Sequence, residues 1–161
     1  MTGFGGAVYA AAFSPDGTIL AFGGADYTVR LVDLTRPEDP ISLDTPLIGP
    51  VGEVYEVAFN PDRNLLAISS IDQTIWLWDL HTPREPELLA TLKAADGGLF
   101  TVAFSPDGHT RAAGGRDRAV RLWNTDLHSV AAWICTTAGD PITPSEWAQF
   151  IPDQPYTPPC R

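Results

Sequence analysis

Lysine occurs once in this chain, at Lys93, and cysteine twice, at Cys135 and Cys160. Two cysteines are too few for a disulfide scaffold. The longest uninterrupted apolar run, Ala7 to Phe13, is seven residues, against the ~20 that a membrane-spanning helix needs. The opening Met-Thr-Gly-Phe-Gly-Gly has neither the positive charge nor the apolar stretch of a secretory signal, so a cytoplasmic location is expected. Cations are scarce as well: ten basic residues against twenty acidic ones leave a net charge of −10. Such a field repels phosphate backbones and anionic lipid, which argues against nucleic-acid or membrane partners. What the chain does have is turn formers, 15 Pro and 14 Gly in 161 residues, with 44% apolar and 19% charged residues. That composition suits one folded, turn-rich β domain and does not suit disorder or long helices.

Internal repetition is the strongest signal. Val8-Tyr-Ala-Ala-Ala-Phe13-Ser-Pro-Asp-Gly aligns with Val54-Tyr-Glu-Val-Ala-Phe59-Asn-Pro-Asp-Arg and with Leu99-Phe-Thr-Val-Ala-Phe104-Ser-Pro-Asp-Gly, at offsets of 46 and 45 residues. A second block keeps the same offsets: Asp26-Tyr-Thr-Val-Arg-Leu-Val-Asp33, Asp72-Gln-Thr-Ile-Trp-Leu-Trp-Asp79 and Asp117-Arg-Ala-Val-Arg-Leu-Trp-Asn124. Chance similarity would not preserve the spacing between two blocks.

Each repeat reads as antiparallel strands. The first strands are Val8 to Phe13, Val54 to Phe59 and Leu99 to Phe104. Ser14-Pro15-Asp16-Gly17 and its counterparts supply the type I turn, with Pro presetting φ and a small polar residue before it. Second strands follow at Ile19 to Gly23, Leu65 to Ser69 and Thr110 to Gly114, and third strands at Thr28 to Val32, Thr74 to Trp78 and Ala119 to Trp123. Weaker fourth strands fit Ile41 to Leu47 and Pro86 to Leu92. The third strands are apolar on both faces, Ile75 and Leu77 opposing Trp76 and Trp78. A lone sheet cannot bury two faces, so these sheets are expected to stack on one another.

The Ser-Pro-Asp-Gly…Asp…Val-Arg-Leu-Trp-Asn pattern resembles the WD repeat (WD40 type), the blade unit of β-propellers. The resemblance implies an all-β fold: three blades of a partial propeller (about 7–48, 53–93 and 98–125) and a C-terminal capping tail over 126–161 with two short helices and an extended end. It departs from the family in two ways. No Gly-His pair precedes the first strands, where Gly49-Pro50 and Ala95-Asp96-Gly97 stand instead, and repeat 1 has Val32 where the family places Trp. The family's Asp–His–Ser/Thr–Trp hydrogen-bond chain is thus incomplete in every blade. Asp26, Asp72 and Asp117 are expected to cap their own turns, and Trp78 and Trp123 to be structural.

In the tail, Asp126 reads as an N-cap for a helix carrying Leu127, Val130, Ala131 and Ile134, which Gly139 would stop. Thr143-Pro144-Ser145-Glu146 reads as a capping box opening a helix to Phe150, after which Pro152, Pro155, Pro158 and Pro159 favour an extended end. Trp133, Cys135, Gly139, Thr143, Glu146, Trp147, Pro155, Tyr156 and Cys160 make this ending similar to the C-terminus of actinomycete-type bacterial WD-repeat signalling proteins. Those proteins commonly join the propeller to an NTPase module, whose Gly-x-x-x-x-Gly-Lys-Ser/Thr loop is absent here. Whether Cys135 and Cys160 pair is open, because a disulfide needs Cα atoms within ~7 Å.

No catalytic, cofactor or metal residue stands out. His81, His109 and His128 recur beside no Ser or Cys, and Cys135, Cys160 and His128 lack a paired ligand spacing. The expectation is a non-enzymatic scaffold for a protein or peptide, the docking part of a larger bacterial signalling protein. The alternatives are a propeller-hosted enzyme and a non-functional fragment. The resemblance places Tyr9, Tyr55 and Phe100 on the propeller's narrower surface, with Ala25, Ile71 and Arg116 beside them. Aromatics with an Arg are typical of interface hot spots, although such rings can also simply cover blade edges. Closed propellers hold roughly four to eight blades, so three leave an apolar face at each end. Further blades in a longer chain, a ring of several copies, and an open capped stack all remain as answers.

Overall fold

Alternation of apolar residues and recurrent Pro-Asp-Gly turns yield eleven strands among the described residues of the computed structural model, which are 5–43, 46–61, 64–93, 96–124 and 136–137. The expected tail helices, Trp133, Trp147 and the two cysteines lie outside them; Thr136 and Thr137 have helical backbone. Blade 1 comprises β1 (Val8–Phe13), β2 (Ile19–Gly24), β3 (Val29–Asp33) and β4 (Ile41–Ser42). Blade 2 comprises β5 (Val54–Phe59), β6 (Leu65–Ser70), β7 (Thr74–Asp79) and β8 (Glu87–Lys93), and blade 3 comprises β9 (Leu99–Phe104), β10 (Thr110–Gly115) and β11 (Val120–Asn124). Each sheet is an antiparallel meander in chain order, so the fold is all-β with three blade-like sheets of a partial propeller. By its contacts the chain divides into residues Met1–Trp123, which hold the blades, and Asn124–Arg161.

The turns form as their chemistry dictates. Gly17 and Gly108 take φ of +73° and +70°, and their N–H groups close the turns onto Ser14 and Ser105 at 2.8 and 2.9 Å. Only glycine enters that region without steric cost. The fourth strand of blade 1 is shorter than its sequence suggests. Beyond Ser42 the Leu43 N–H still donates to the Leu31 carbonyl at 2.9 Å, and Leu47 forms an isolated bridge with Val29. Blade 2 keeps a long fourth strand, which is why its third strand starts at Thr74, opposite Lys93, whereas β3 and β11 start one residue later than expected.

Two apolar layers hold the blades together. The first joins Ala10, Ile19, Ala21, Val29 and Leu31 of blade 1 to Val54, Val57, Leu66, Ile68, Trp76 and Trp78 of blade 2. The second joins Ala67, Ile75 and Leu77 of blade 2 to Leu99, Val102, Ala113, Phe104 and Trp123 of blade 3. Blade 2 is therefore covered on both faces, as its doubly apolar third strand requires. Full burial of each Val, Leu or Ile is worth about 1.5–3 kcal/mol, so these layers dominate cohesion. Close approach depends on small residues: a Cβ on Gly23 would stand 2.4 Å from Val54 Cγ1. Polar ties add register, with the Val102 N–H donating to Glu56 Oε2 at 3.0 Å and Asn60 Nδ2 to the Gly108 carbonyl at 3.0 Å.

Candidate functional site

The first strands of the three sheets lie side by side, β1 against β5 and β5 against β9. Each pairs with its second strand through a register shift: between Val8 and Ala10, between Val54 and Glu56, and opposite Gly114 and Gly115 between Thr101 and Leu99. The residue passed over is Tyr9 in blade 1, Tyr55 in blade 2 and Phe100 in blade 3. A bulge leaves one residue out of the ladder and re-aims its side chain. Here the same bulge occurs three times and carries an aromatic each time.

The three rings form a continuous row. Tyr9 and Tyr55 stack with centroids 5.3 Å apart and planes 24° apart, and Phe100 meets Tyr55 edge-on at 5.2 Å and 65°. Both arrangements are favoured by the aromatic quadrupole. Tyr9 is 46% exposed and Phe100 43%, so the row is a surface. Beneath it Glu53 joins the two tyrosines: Tyr9 donates its hydroxyl to Oε1 at 3.4 Å and Tyr55 to Oε2 at 3.1 Å. The Glu53 charge raises the Tyr9 pKa above its ordinary value, and the hydrogen bond to Glu53 raises that of Tyr55, so both rings keep their protons well into alkaline solution.

Ile71 and Arg116 are placed differently. Each lies over the glycine loop that leads into a first strand. Ile71 Cγ2 is 2.6 Å from where a Cβ on Gly52 would be, its Cδ1 is 2.2 Å from one on Gly98, and the Arg116 Cβ is 3.3 Å from one on Gly97. Arg116 is exposed and Ile71 half-buried. Ile71 thus fills the join between blades 2 and 3 beside the aromatic row, while Arg116 offers a charge at the surface.

The turn aspartates anchor these same loops. Oδ1 of Asp26, Asp72 and Asp117 accepts the N–H two residues on, from Thr28 at 3.3 Å, Thr74 at 3.0 Å and Ala119 at 3.1 Å. Oδ2 reaches back to the lead-in loop, accepting from Gly5 N–H at 3.2 Å in blade 1 and Val51 N–H at 2.8 Å in blade 2. In blade 2 a relay runs from Trp76 Nε1 to Thr74 Oγ1 at 2.6 Å and from that hydroxyl to Asp72. Arginine occupies the Trp76 position in the other blades and pairs with the aspartate directly, Arg30 with Asp26 at 3.7 Å and Arg121 with Asp117. Trp78 and Trp123 are half-buried in the two apolar layers, and Trp78 Nε1 is buried with no hydrogen-bond partner among the described residues.

Sequence reasoning missed Glu53, Thr74 and Trp76. Glu53 could not be found by repetition, since Ala7 and Gly98 hold its equivalent positions. The Arg30, Trp76, Arg121 series was readable, because it recurs four residues after each turn aspartate. Among the described residues no group of three or more His, Cys, Asp or Glu could hold a metal ion. One surface recess among the described residues is lined by Ser14, Asp16, Thr18, Asn64 and His81, where the Ser14 hydroxyl donates to Asp16 Oδ1 at 2.6 Å and Asn64 Nδ2 lies 3.4 Å from His81 Nδ1.

Compared with known families, the chain matches the model described as "WD domain, G-beta repeat" over residues 1–33, 43–79 and 86–124. No curated protein matches it. Proteins built from these repeats are generally non-catalytic interaction scaffolds. The three matched segments cover most of its length, the third of them also taking in the outer strand β8 of blade 2, and the chain belongs to the WD-repeat family.

Proposed function

We propose that the chain is a rigid protein-docking platform whose contact surface is the row Tyr9, Tyr55 and Phe100, bordered by Ile71, Glu53 and Arg116. The observation that carries this reading is the threefold bulge, which re-aims one aromatic from each blade into a single exposed row. Stacked rings have little rotamer entropy left to lose on binding, and buried aromatics and arginine are the residues that dominate interface energies. The tail pattern from Trp133 to Cys160 supports a place in a larger bacterial signal-transduction protein working in the cytoplasm. Peptides selected from a random display library on the wild-type chain test the docking role. Tyr55→Ala is expected to weaken their binding by about thirtyfold, the ~2 kcal/mol of a hot spot, while Leu88→Ala on the outer strand leaves it unchanged. Equal binding to both variants would remove the aromatic row from the site.

A further inference from the structure

Hydrogen-bond donors run out at the hydroxyl edge of the aromatic row. Tyr9 gives its hydroxyl proton to Glu53 Oε1, and Tyr55 gives its own to Oε2. A carboxylate has only acceptor lone pairs, and a phenol that has donated its proton can only accept. Two carboxylate and two phenol oxygens therefore stand together with lone pairs unused and no hydrogen left to share. The turn carboxylates are met otherwise. Asp26 and Asp117 pair with Arg30 and Arg121, while Asp72 accepts from the Val51 and Thr74 N–H groups and from the Thr74 hydroxyl. Glu53 is half-buried, yet among the described residues it has no ion-pair partner. Its loop is fixed at two points: the Glu53 carbonyl accepts the Ile71 N–H at 3.0 Å, and the Val51 N–H donates to Asp72 Oδ2 at 2.8 Å.

We infer that this edge of four oxygens receives the guanidinium of an arginine side chain on the docked partner protein. The inference rests on the docking reading above and names the chemical group that is bound. A guanidinium supplies what the edge lacks: a positive charge and a planar fork of N–H donors, with no acceptor of its own. Its face also packs on aromatic rings, drawn by the ring quadrupole. Arg111 does so within this chain, its Cζ 5.5 Å from the Phe104 centroid. A bare metal ion fits less well. Glu53 raises the pKa of both tyrosines and so keeps the phenols protonated, which leaves a single carboxylate as anionic ligand. The cation is directed to the Tyr9–Tyr55 end of the row. Phe100 has no hydroxyl, and the exposed Arg116 and Arg118 of blade 3 repel a cation there. The net charge of −10 draws a cationic segment toward the chain at longer range.

The probes are N-acetyl-arginine methylamide and its neutral isostere N-acetyl-citrulline methylamide. Each is titrated to tens of millimolar into the full 161-residue chain and followed by NMR of isotope-labelled tyrosine rings, assigned with Tyr9→Phe and Tyr55→Phe. The Tyr9 and Tyr55 signals are expected to shift saturably, with the arginine probe bound about tenfold more tightly than the citrulline probe. Glu53→Gln keeps the size of the side chain and removes its charge, and is expected to abolish that preference. If far-UV circular dichroism shows that Glu53→Gln does not fold, sodium chloride replaces it: the preference of the wild-type chain should shrink as the salt rises. Equal binding of the two probes, shifts confined to other tyrosines, or a preference that survives Glu53→Gln or, in its place, high salt would overturn the inference. Display-library peptides that lose affinity on Tyr55→Ala, beside equal binding of the two probes, overturn the arginine subsite alone. Peptides indifferent to Tyr55→Ala overturn the docking row on which it rests.

Discussion

Leu77 and Leu122 occupy the same position of the same repeat, between similar neighbours, and their surroundings differ completely. Leu77 is 4% exposed between blades 2 and 3, and Leu122 is 68% exposed on the outer face of blade 3. Nothing in either strand's own pattern accounts for this; the presence of a following sheet does. A blade of this kind is a unit with two greasy faces, and its stability is largely a property of its contacts with neighbours.

The largest test of that contrast is truncation at both positions. Leu77→Ala should cost about 2–5 kcal/mol through lost transfer energy and a cavity that the two blades cannot close. Its effect on the melting temperature should be the same at every protein concentration. Leu122→Ala should cost less than about 0.5 kcal/mol, as surface changes do. Equal losses at both sites would mean that the face of Leu122 is covered within one chain.

Acid should distinguish the end blades next. Asp16 and Asp107 are held below the ordinary carboxylate value of 3.8 chiefly by the hydroxyls of Ser14 and Ser105. Asp117 is held below it by the Ala119 N–H and then Arg121. Burial pushes Asp26 upward, but hydrogen bonds from Gly5 and Thr28 and the charge of Arg30 together outweigh it, so it too is lowered. In each case the unfolded chain binds its proton first as the pH drops. The stabilisation is therefore complete above about pH 4 and is lost as the pH falls through the lower folded values. Hydrogen-exchange protection, measured relative to the unfolded chain at the same pH, at the Thr18, Thr28, His109 and Ala119 amides, all donated to these carboxylates, should fall below pH 4. Protection that stays constant from neutrality to pH 3 would show that the turns do not depend on these charges.

The smallest effect concerns the turn backbone. Tyr27, Gln73 and Arg118 follow the turn aspartates with φ of 67°, 79° and 64°, a left-handed region costly for a side chain. Gln73→Gly in the central blade should stabilise by about 0.5 kcal/mol, because strain relief exceeds the added freedom of the unfolded chain. A lower melting temperature would show that the Gln73 side chain contributes more than its backbone costs.

Much of the fold was legible because its signals are local and repeated. The first strands follow from an apolar run ended by Pro-Asp-Gly, and the order of strands in each sheet follows from turns too short for any other connection. The fourth strand of blade 1 is shorter than its apolar pattern suggests, because Leu43 and Leu47 both bond to β3 without keeping the continuous register of a strand. In the candidate site, the aromatics were marked by their recurrence at Tyr9, Tyr55 and Phe100. That they are bulge residues was not legible, since a bulge is a property of pairing between two strands. Glu53, whose two oxygens join two tyrosines, has no repeated counterpart to draw attention to it.

By itself the sequence determined the repeat, the meander within each sheet and the need for both faces of the central blade to be covered, all consequences of side-chain pattern and turn chemistry acting over a few residues. Only the tertiary structure decided which of the equivalent residues are buried, where the three rings meet, and that arginine or a Trp–Thr relay takes over at the turn aspartates. Those outcomes depend on which sheet lies against which, and residues 45 apart in the chain become neighbours only after the blades have stacked.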